Sequence, residues 1–226
     1  ERPTVPYAAY MPPAPFEKNQ TGHFWVTTVD PRSVPGDQWS VVQKEQLREH
    51  CHAALILTTL HESYPGHHLQ FSRANKVESA VRKHGGSSLL CEGWALYCEQ
   101  MMGEVGYYKD LETQLFMLKD ELWRAARVVI DVGLHCRGWS VKKSVDFLVS
   151  RAKLASVQAL SEVKRYTLSP TQPMSYLIGK KLILSMRAKA KREWGSGFSL
   201  KRFHDEFLSA GTIPTPLIEL EMFGQL

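Results

Sequence analysis

A chain of 226 residues that is 43% hydrophobic and 23% charged has the composition of an ordinary globular protein with one sizeable core or two small ones. It has no apolar run of the roughly 18 residues that a transmembrane segment needs, and residues 1–4 do not form a signal peptide, so soluble, secreted and periplasmic locations all stay open. The net charge of +5 does not indicate a nucleic-acid partner, because the basic residues at 180–192 alternate with apolar ones at helical spacing and predict a solvated helix face.

The first 39 residues are predicted to form an extended arm, because seven of the twelve prolines lie there and hydrophobic periodicity is weak. Residues 23–29 are rich in β-forming side chains and predict one short strand in this arm. From residue 40 onward the hydrophobic pattern is helical, so residues 40–226 are predicted to form a single domain. The expected fold is therefore mainly α, with a short extended or β arm at the N-terminus.

Helices are predicted in succession along this second region. Ser40 and Gln43 have the spacing of a capping box and open a helix that runs to about Leu60. Further helices are predicted at residues 89–102, 109–132, 140–154, 156–167, 174–194 and 199–211. In the second of these, apolar residues recur at helical spacing and predict a stripe that faces the core: Leu111, Leu115, Leu118, Leu122 and Ala126. Pro214 and Pro216 are expected to stop any helix beyond residue 211.

The four cysteines do not have the spacing of a zinc finger, because no C-x-x-C pair is present. Cys91 and Cys98 are about 10 Å apart along a predicted helix, too far to form a disulfide with each other. Free thiols are the favoured interpretation, and one disulfide that involves Cys51 or Cys136 is the alternative.

The segment from His61 to Gln70 reads His-Glu-Ser-Tyr-Pro-Gly-His-His-Leu-Gln. Zinc peptidases commonly use H-E-x-x-H, because residues four apart share one face of a helix. Here the second histidine comes six or seven residues after the first, which a straight helix does not allow. Pro65 and Gly66 are expected to kink or bulge the helix between the histidines and so bring them together. A polar, histidine-rich helix end is the alternative interpretation.

A second helix is predicted to bring a glutamate to these histidines. A catalytic zinc takes three protein ligands and keeps one open position. Glu92 lies 31 residues after His61, which leaves room for a helix, a turn and a return. Glu99 is two turns further along the same helix and is expected to orient a histidine from outside the ligand set. Gly93 would let this helix approach a neighbouring helix closely. The alternative is that both glutamates lie on the surface, although the helix is largely apolar.

These motifs together resemble the family known as domain of unknown function 885, which is similar to gluzincin metallopeptidases such as the thimet oligopeptidase and carboxypeptidase Taq groups. The matching blocks lie in order along nearly the whole chain, at residues 61–70, 92–99, 129–140, 172–179 and 203–214. Family chains are much longer and carry a helical N-terminal half, so the resemblance implies a C-terminal catalytic portion whose partner would be that half. Thr171 and Pro173 stand where the family usually has glycine and alanine before the tyrosine at 176.

The resemblance implies zinc-dependent hydrolysis of peptide bonds, with one Zn²⁺ per chain held by His61, His67 and Glu92. In this hypothesis Glu62 is the general base and a peptide is the substrate. His67 is preferred to His68 as the second histidine ligand because it follows the Pro-Gly pair directly. His68 is the alternative ligand, or else a neighbour outside the ligand set.

By analogy with gluzincins, His135 and Tyr176 are candidate donors to the oxyanion of the transition state. Arg127 is expected either to bind a substrate carboxylate or to pair with Asp131, one turn away. Three other functions stay open: an inactive metal-binding homologue, a metal-dependent hydrolase of a non-peptide amide or ester, and a helical scaffold without metal.

Overall fold

The structure, a computed structural model, describes residues 8–27, 40, 43–44, 47–48 and 50–224. The arm forms an antiparallel pair of strands, β1 (Ala8–Met11) and β2 (His23–Val26), in which Ala8 pairs with Val26 and Met11 with His23. The predicted strand at 23–29 is confirmed for its first four residues, and positions 28–29 lie outside the described residues. β1 was not predicted, because its alanines have weak strand propensity and only its pairing with β2 makes it a strand.

The rest of the described chain is helical, so the predicted mainly α class is confirmed. The helices are α1 (His52–Glu62), α2 (His67–Ala74), α3 (Ala80–His84), α4 (Ser88–Glu104), α5 (Leu111–Cys136), α6 (Val141–Ala152), α7 (Ser156–Tyr166), α8 (Gln172–Trp194), α9 (Leu200–Ser209) and α10 (Thr215–Phe223). A short 3₁₀ turn, Gly195–Gly197, separates α8 from α9. No helix in the described ranges is long and apolar enough to cross a bilayer. The division of the chain at residues 39 and 40 stays a prediction.

Side-chain caps define several helix starts, as their sequence signals predict. The side chain of Ser140 accepts a hydrogen bond from the backbone N–H of Lys143, and Ser199 accepts one from Arg202. The predicted capping box is also present, because the Ser40 N–H donates to Gln43 Oε1 while the Gln43 N–H donates to Ser40 Oγ.

Two predicted boundaries are wrong. The helix expected from residue 40 to Leu60 is interrupted, because residues 43–44 and 47–48 are helical but His50 and Cys51 are not, and α1 begins at His52. Pro214 and Pro216 do not stop the chain from forming a helix, since α10 begins at Thr215. Pro216 occupies the first turn of α10, where a helix has no use for a backbone N–H, so proline is well suited to the position.

The main core lies where α4 packs against α8 and the two C-terminal helices. Its largest fully buried side chains include Trp94, Tyr97, Phe203 and Phe207. Gly93 of α4 faces Gly179 of α8 so closely that a methyl group on either residue would collide with backbone atoms of the other helix. The expectation that Gly93 permits a close helix approach is confirmed. A second hydrophobic cluster joins α5, α6 and α7 around Ile130.

All four cysteines are free thiols, which is the favoured of the two interpretations of the sequence.

The predicted core stripe of α5 is wrong for its four leucines. Leu111 is 83% exposed, Leu115 65%, Leu118 57% and Leu122 48%, whereas Ala126 is buried as expected. Instead, α5 turns a face with several polar and charged residues toward the interior: Thr113, Arg124, Ala126, Arg127, Ile130, Asp131 and Gly133. The periodicity identified an apolar helix face correctly, but nothing in the described part of the chain covers that face.

Candidate metal centre

Three helix segments converge at the candidate metal centre. His61 is the penultimate residue of α1, and His67 is the first residue of α2. Between them the chain leaves the helix, and a side chain at Gly66 would collide with the carbonyl oxygens of Leu60 and His61. The predicted interruption at Pro65 and Gly66 is therefore confirmed. It turns the two imidazole rings toward each other, with centroids 4.8 Å apart and planes at 86°.

Glu92 approaches both histidines from the second turn of α4. Its Oε2 atom lies 3.4 Å from His67 Nε2 and 3.8 Å from His61 Nε2. One ligand atom from each of the three residues lies within 4.8 Å of the others. Tetrahedral zinc with bonds near 2.0–2.1 Å places its ligand atoms about 3.3 Å apart, so the group has close to the spacing that such an ion requires.

The chemistry of the three residues also fits a cation. Glu92 Oε2 is buried, and among the described residues it makes no well-aligned hydrogen bond, since the facing nitrogens of His67 and His61 lie 3.4 and 3.8 Å away. A buried carboxylate oxygen without a partner is costly unless a positive charge faces it. Two imidazoles and one carboxylate suit zinc better than the oxygen-rich sites that magnesium and calcium prefer.

The charges of neighbouring residues shift the pKa values of His61 and Glu92 in opposite directions. Burial alone lowers the pKa of His61, but the neighbouring carboxylates of Glu92 and Glu99 outweigh burial and raise that pKa to about 10. For Glu92, burial raises the pKa, yet its contacts with His61 and His67 outweigh burial and hold the pKa well below its usual range. The Glu92 carboxylate is therefore ionised in the fold and faces the positive charge of His61.

Glu99 lies behind His61, on the side away from Glu92. Its carboxylate is 2% exposed, and Oε1 lies 2.7 Å from His61 Nδ1. Arg124 approaches the same oxygen at 3.9 Å, and the charge of this arginine is the main influence that lowers the pKa of Glu99 against the effect of burial. A carboxylate on Nδ1 makes that nitrogen the donor and leaves Nε2 directed at Glu92, which is the arrangement that orients metal-binding histidines in proteins.

Glu62 and His68 flank the two histidines but have different surroundings. Glu62 ends α1, directly after His61, and its negative charge contributes to the raised pKa of that histidine. His68 faces the arm, since its Nδ1 lies 2.7 Å from the Tyr10 hydroxyl, and it is not part of the three-residue group.

Tyr176 reaches the group from α8. Its ring stacks on the His61 ring, with centroids 6.1 Å apart and planes at 19°. Burial raises the pKa of Tyr176 to about 12, and the charge of Glu92 acts in the same direction. Gln172 joins the two residues, because its Nε2 donates to Glu92 Oε1 at 3.1 Å and to the Tyr176 hydroxyl at 3.2 Å.

Sequence reasoning missed Gln172, although its spacing of four from Tyr176 on a helix was available as a signal. It also missed Tyr10 of β1, whose ring lies parallel to the His67 ring at 6.5 Å. Thr171, just before α8, has a φ of 72°, in the left-handed region. The glycine that the resemblance implies for this position would adopt that conformation without strain.

Arg127 supports Tyr176 from α5, with its guanidinium 4.6 Å from the centre of the tyrosine ring. The expected pair between Arg127 and Asp131 is wrong. Arg127 instead donates to Glu162 Oε2 at 3.3 Å and to the Tyr166 hydroxyl at 2.9 Å, and its Nη1 has no partner.

Asp131 has a different role, at the start of α8. Its two carboxylate oxygens accept hydrogen bonds from the backbone N–H groups of Thr171 and Met174. A carboxylate from another helix therefore serves as the N-terminal cap that Thr171 does not provide.

His135 lies near the C-terminal end of α5 and contacts the end of α7. Its Nε2 is 3.1 Å from the Tyr166 carbonyl oxygen and 3.7 Å from Asp131 Oδ1. Among the described residues, no hydrogen bond or ring contact joins His135 to the three ligand candidates. The structure thus brings Tyr176, but not His135, into contact with the group.

Comparisons with known proteins give a family but no activity. The family described as "Bacterial protein of unknown function (DUF885)" matches residues 1–222, and no curated protein matches the chain. A "putative lipoprotein" from Colwellia psychrerythraea superposes with a TM-score of 0.84 at 29% identity, over 96% of this chain and 35% of that one. A "putative lipoprotein of unknown function" from Shewanella oneidensis gives 0.82 at 31% identity, over 95% and 38%. This chain thus spans little more than a third of those relatives. It belongs to the DUF885 family of bacterial proteins of unknown function.

Proposed function

We propose that this chain carries the metal site of a zinc-dependent hydrolase that cleaves peptide bonds, as the resemblance to gluzincins implies. The observation that carries the proposal is the convergence of two buried imidazoles and one partly buried carboxylate, His61, His67 and Glu92, from three separate helices. Glu62 stands directly after the first of these ligands, in the order that H-E motifs use for a ligand followed by a base.

The three residues would bind the ion through His61 Nε2, a ring nitrogen of His67 and Glu92 Oε2. A zinc ion at this position supplies Lewis acidity, which lowers the pKa of water toward about 7 and polarises a carbonyl group. Glu99 holds the His61 ring by its Nδ1, and Gln172 holds Glu92 by its other oxygen. These contacts leave His61 Nε2 and Glu92 Oε2 free to bind the same ion.

Glu62 is proposed as the general base of the reaction. Its carboxylate would accept a proton from the attacking water and return it to the nitrogen of the leaving amine. Tyr176 is proposed to donate a hydrogen bond from its hydroxyl to the developing oxyanion, since burial keeps the phenol protonated and its ring already lies on His61.

Two further roles complete the proposal. Arg127 lies over Tyr176, so it would steady the tyrosine ring. Its Nη1 is buried and makes no hydrogen bond to the described residues, so it would bind a substrate carboxylate only after the side chains around it move. His135 is retained as a second donor to the oxyanion. Its Nε2 lies against the Tyr166 carbonyl oxygen, so donation to a substrate would require that contact to open.

The proposed compartment is the periplasm or the cell exterior. Both solved relatives are described as lipoproteins, which supports a location outside the cytoplasm. Fractionation of cells that express the tagged full-length gene would test this proposal, and a purely cytoplasmic signal would contradict it.

Hydrolysis of a mixed peptide library by the zinc-loaded chain tests the proposed activity. Glu62→Gln should lower the turnover rate by roughly 10²- to 10⁴-fold while zinc content stays unchanged, because only proton transfer is removed. Glu104→Gln, on α4 and paired with Arg187, is the matched control and should keep full activity. Equal rates for the Glu62→Gln variant and the wild type would contradict the assignment. If the chain cleaves only esters or non-peptide amides, these compounds and not peptides are its substrate class.

A further inference from the structure

Helix α5 carries a continuous apolar face that nothing described in this chain covers. Its most exposed apolar side chains are Leu111, Leu115, Leu118, Leu122 and Val129, which are 83%, 65%, 57%, 48% and 44% exposed. Single exposed leucines are common on protein surfaces, but an unbroken row of them along one helix is typical of a binding surface. We call this row, together with Ala125, the α5 seam.

The spacing of the α5 seam is that of a coiled coil. Successive members are four, three, four, three and four residues apart, which is the alternation of heptad a and d positions. The repeat continues from Leu111 to Val129, about 27 Å along the helix axis. A strict period of 3.5 residues fits a partner that is itself a helix, because only two helices winding around each other keep such a seam in contact.

The opposite face of α5 is already occupied. It packs against α1, α6 and α8, and it carries buried charges that belong to the surroundings of the metal group. Arg124 approaches Glu99 there, and Arg127 lies over the Tyr176 ring. Helix α5 therefore stands between the candidate metal centre on one side and an uncovered leucine face on the other.

We infer that the α5 seam binds an amphipathic helix of about 20 residues from the part of a full-length family chain that lies outside the segment described here. The two solved relatives support this occupant, since they align over 96% and 95% of this chain but only 35% and 38% of their own length. Nearly two thirds of each relative is thus available to supply the helix. The inference does not depend on the proposed activity.

The test compares one double substitution in two settings. Leu115→Glu with Leu118→Glu in the 226-residue chain should shift Tm by less than about 2 °C, because both side chains are solvent-exposed. Glutamate substituted at the two superposed positions of the full-length Shewanella oneidensis relative should lower Tm by at least about 5 °C, since the charges would be buried in a helix interface. Val81→Glu, at an exposed apolar residue of α3, is the control, and glutamate at this position should be neutral in both proteins.

Either of two results in solution would overturn the inference. One is an unchanged Tm in the full-length relative. The other is a dimer of the 226-residue chain, measured by light scattering, that the double variant dissociates, because the occupant would then be a second copy. If the full-length variant does not fold, superposition of this chain on the solved relatives shows whether a helix covers the α5 seam. A helix from outside the aligned third, with its axis about 8–10 Å from the α5 equivalent, supports the inference, and an open seam refutes it.

Discussion

Glu99 is the residue on which the orientation of His61 depends most directly. The 2.7 Å contact from its carboxylate to Nδ1 fixes which nitrogen of the ring faces Glu92. The pair is buried, so neither side chain can exchange this partner for water at low cost. The same carboxylate lies near Arg124, which ties the metal group to helix α5.

Replacing Glu99 with glutamine should weaken zinc binding by roughly 10- to 100-fold, because the amide can accept the histidine N–H but carries no charge. Competition with a chromophoric chelator measures this affinity. Glu104→Gln, twelve residues after Glu92 and exposed at the end of α4, should bind zinc like the wild type. Identical affinities for both variants would show that Glu99 does not act on the metal site.

Individual contacts were the least predictable level of the structure. The sequence identified His61, His67, Glu92 and Glu99 because each belongs to a recognisable motif, and the structure brings all four together. Gln172 begins the matching block at 172–179, but nothing in that block indicated that its side chain contacts Glu92. Tyr10 was missed for a different reason, since its position over His67 depends on how the arm folds back.

At the scale of elements, the metal group depends on the close approach of α4 and α8. Gly93 directly follows Glu92 in sequence and faces Gly179 across the interface. The atoms that a side chain at either position would meet are backbone atoms, which cannot move aside as a flexible side chain can. Space between these two helices therefore sets where the Glu92 carboxylate lies.

Gly93→Ala and Gly179→Ala should each lower the free energy of unfolding by about 3 kcal/mol or more, because the helices would have to separate. Urea denaturation measures the change. Gly86→Ala is the matched control, because a methyl group there meets no atom within 4 Å, and its effect should be small. A Gly93→Ala variant as stable as the control would show that the two helices are not in close contact.

Helix signals in the sequence were reliable where they are local. Ser140, Ser199 and the Ser40–Gln43 box act through residues three positions away, and each cap is present. The direction that α5 faces is not a local property. Its leucine periodicity cannot distinguish an internal core from an interface with another part of a longer chain, and the first interpretation was wrong.

At the scale of the whole molecule, the candidate centre is assembled from distant parts of the chain. The ligands come from α1, α2 and α4, their supports come from α5 and α8, and the arm adds Tyr10 beside His67. The motifs along the sequence predicted this convergence, because the proposed metal site needs ligands from several of them at one point.

The measurement that tests the central claim most directly is the zinc content of the purified chain, with His61→Ala and His67→Ala alongside. The proposed site predicts about one zinc per chain in the wild type and none in either variant. His84→Ala, at an exposed histidine of α3, should keep the full content. A wild type that holds no metal after zinc is added back, or variants that hold as much as the wild type, would contradict the site.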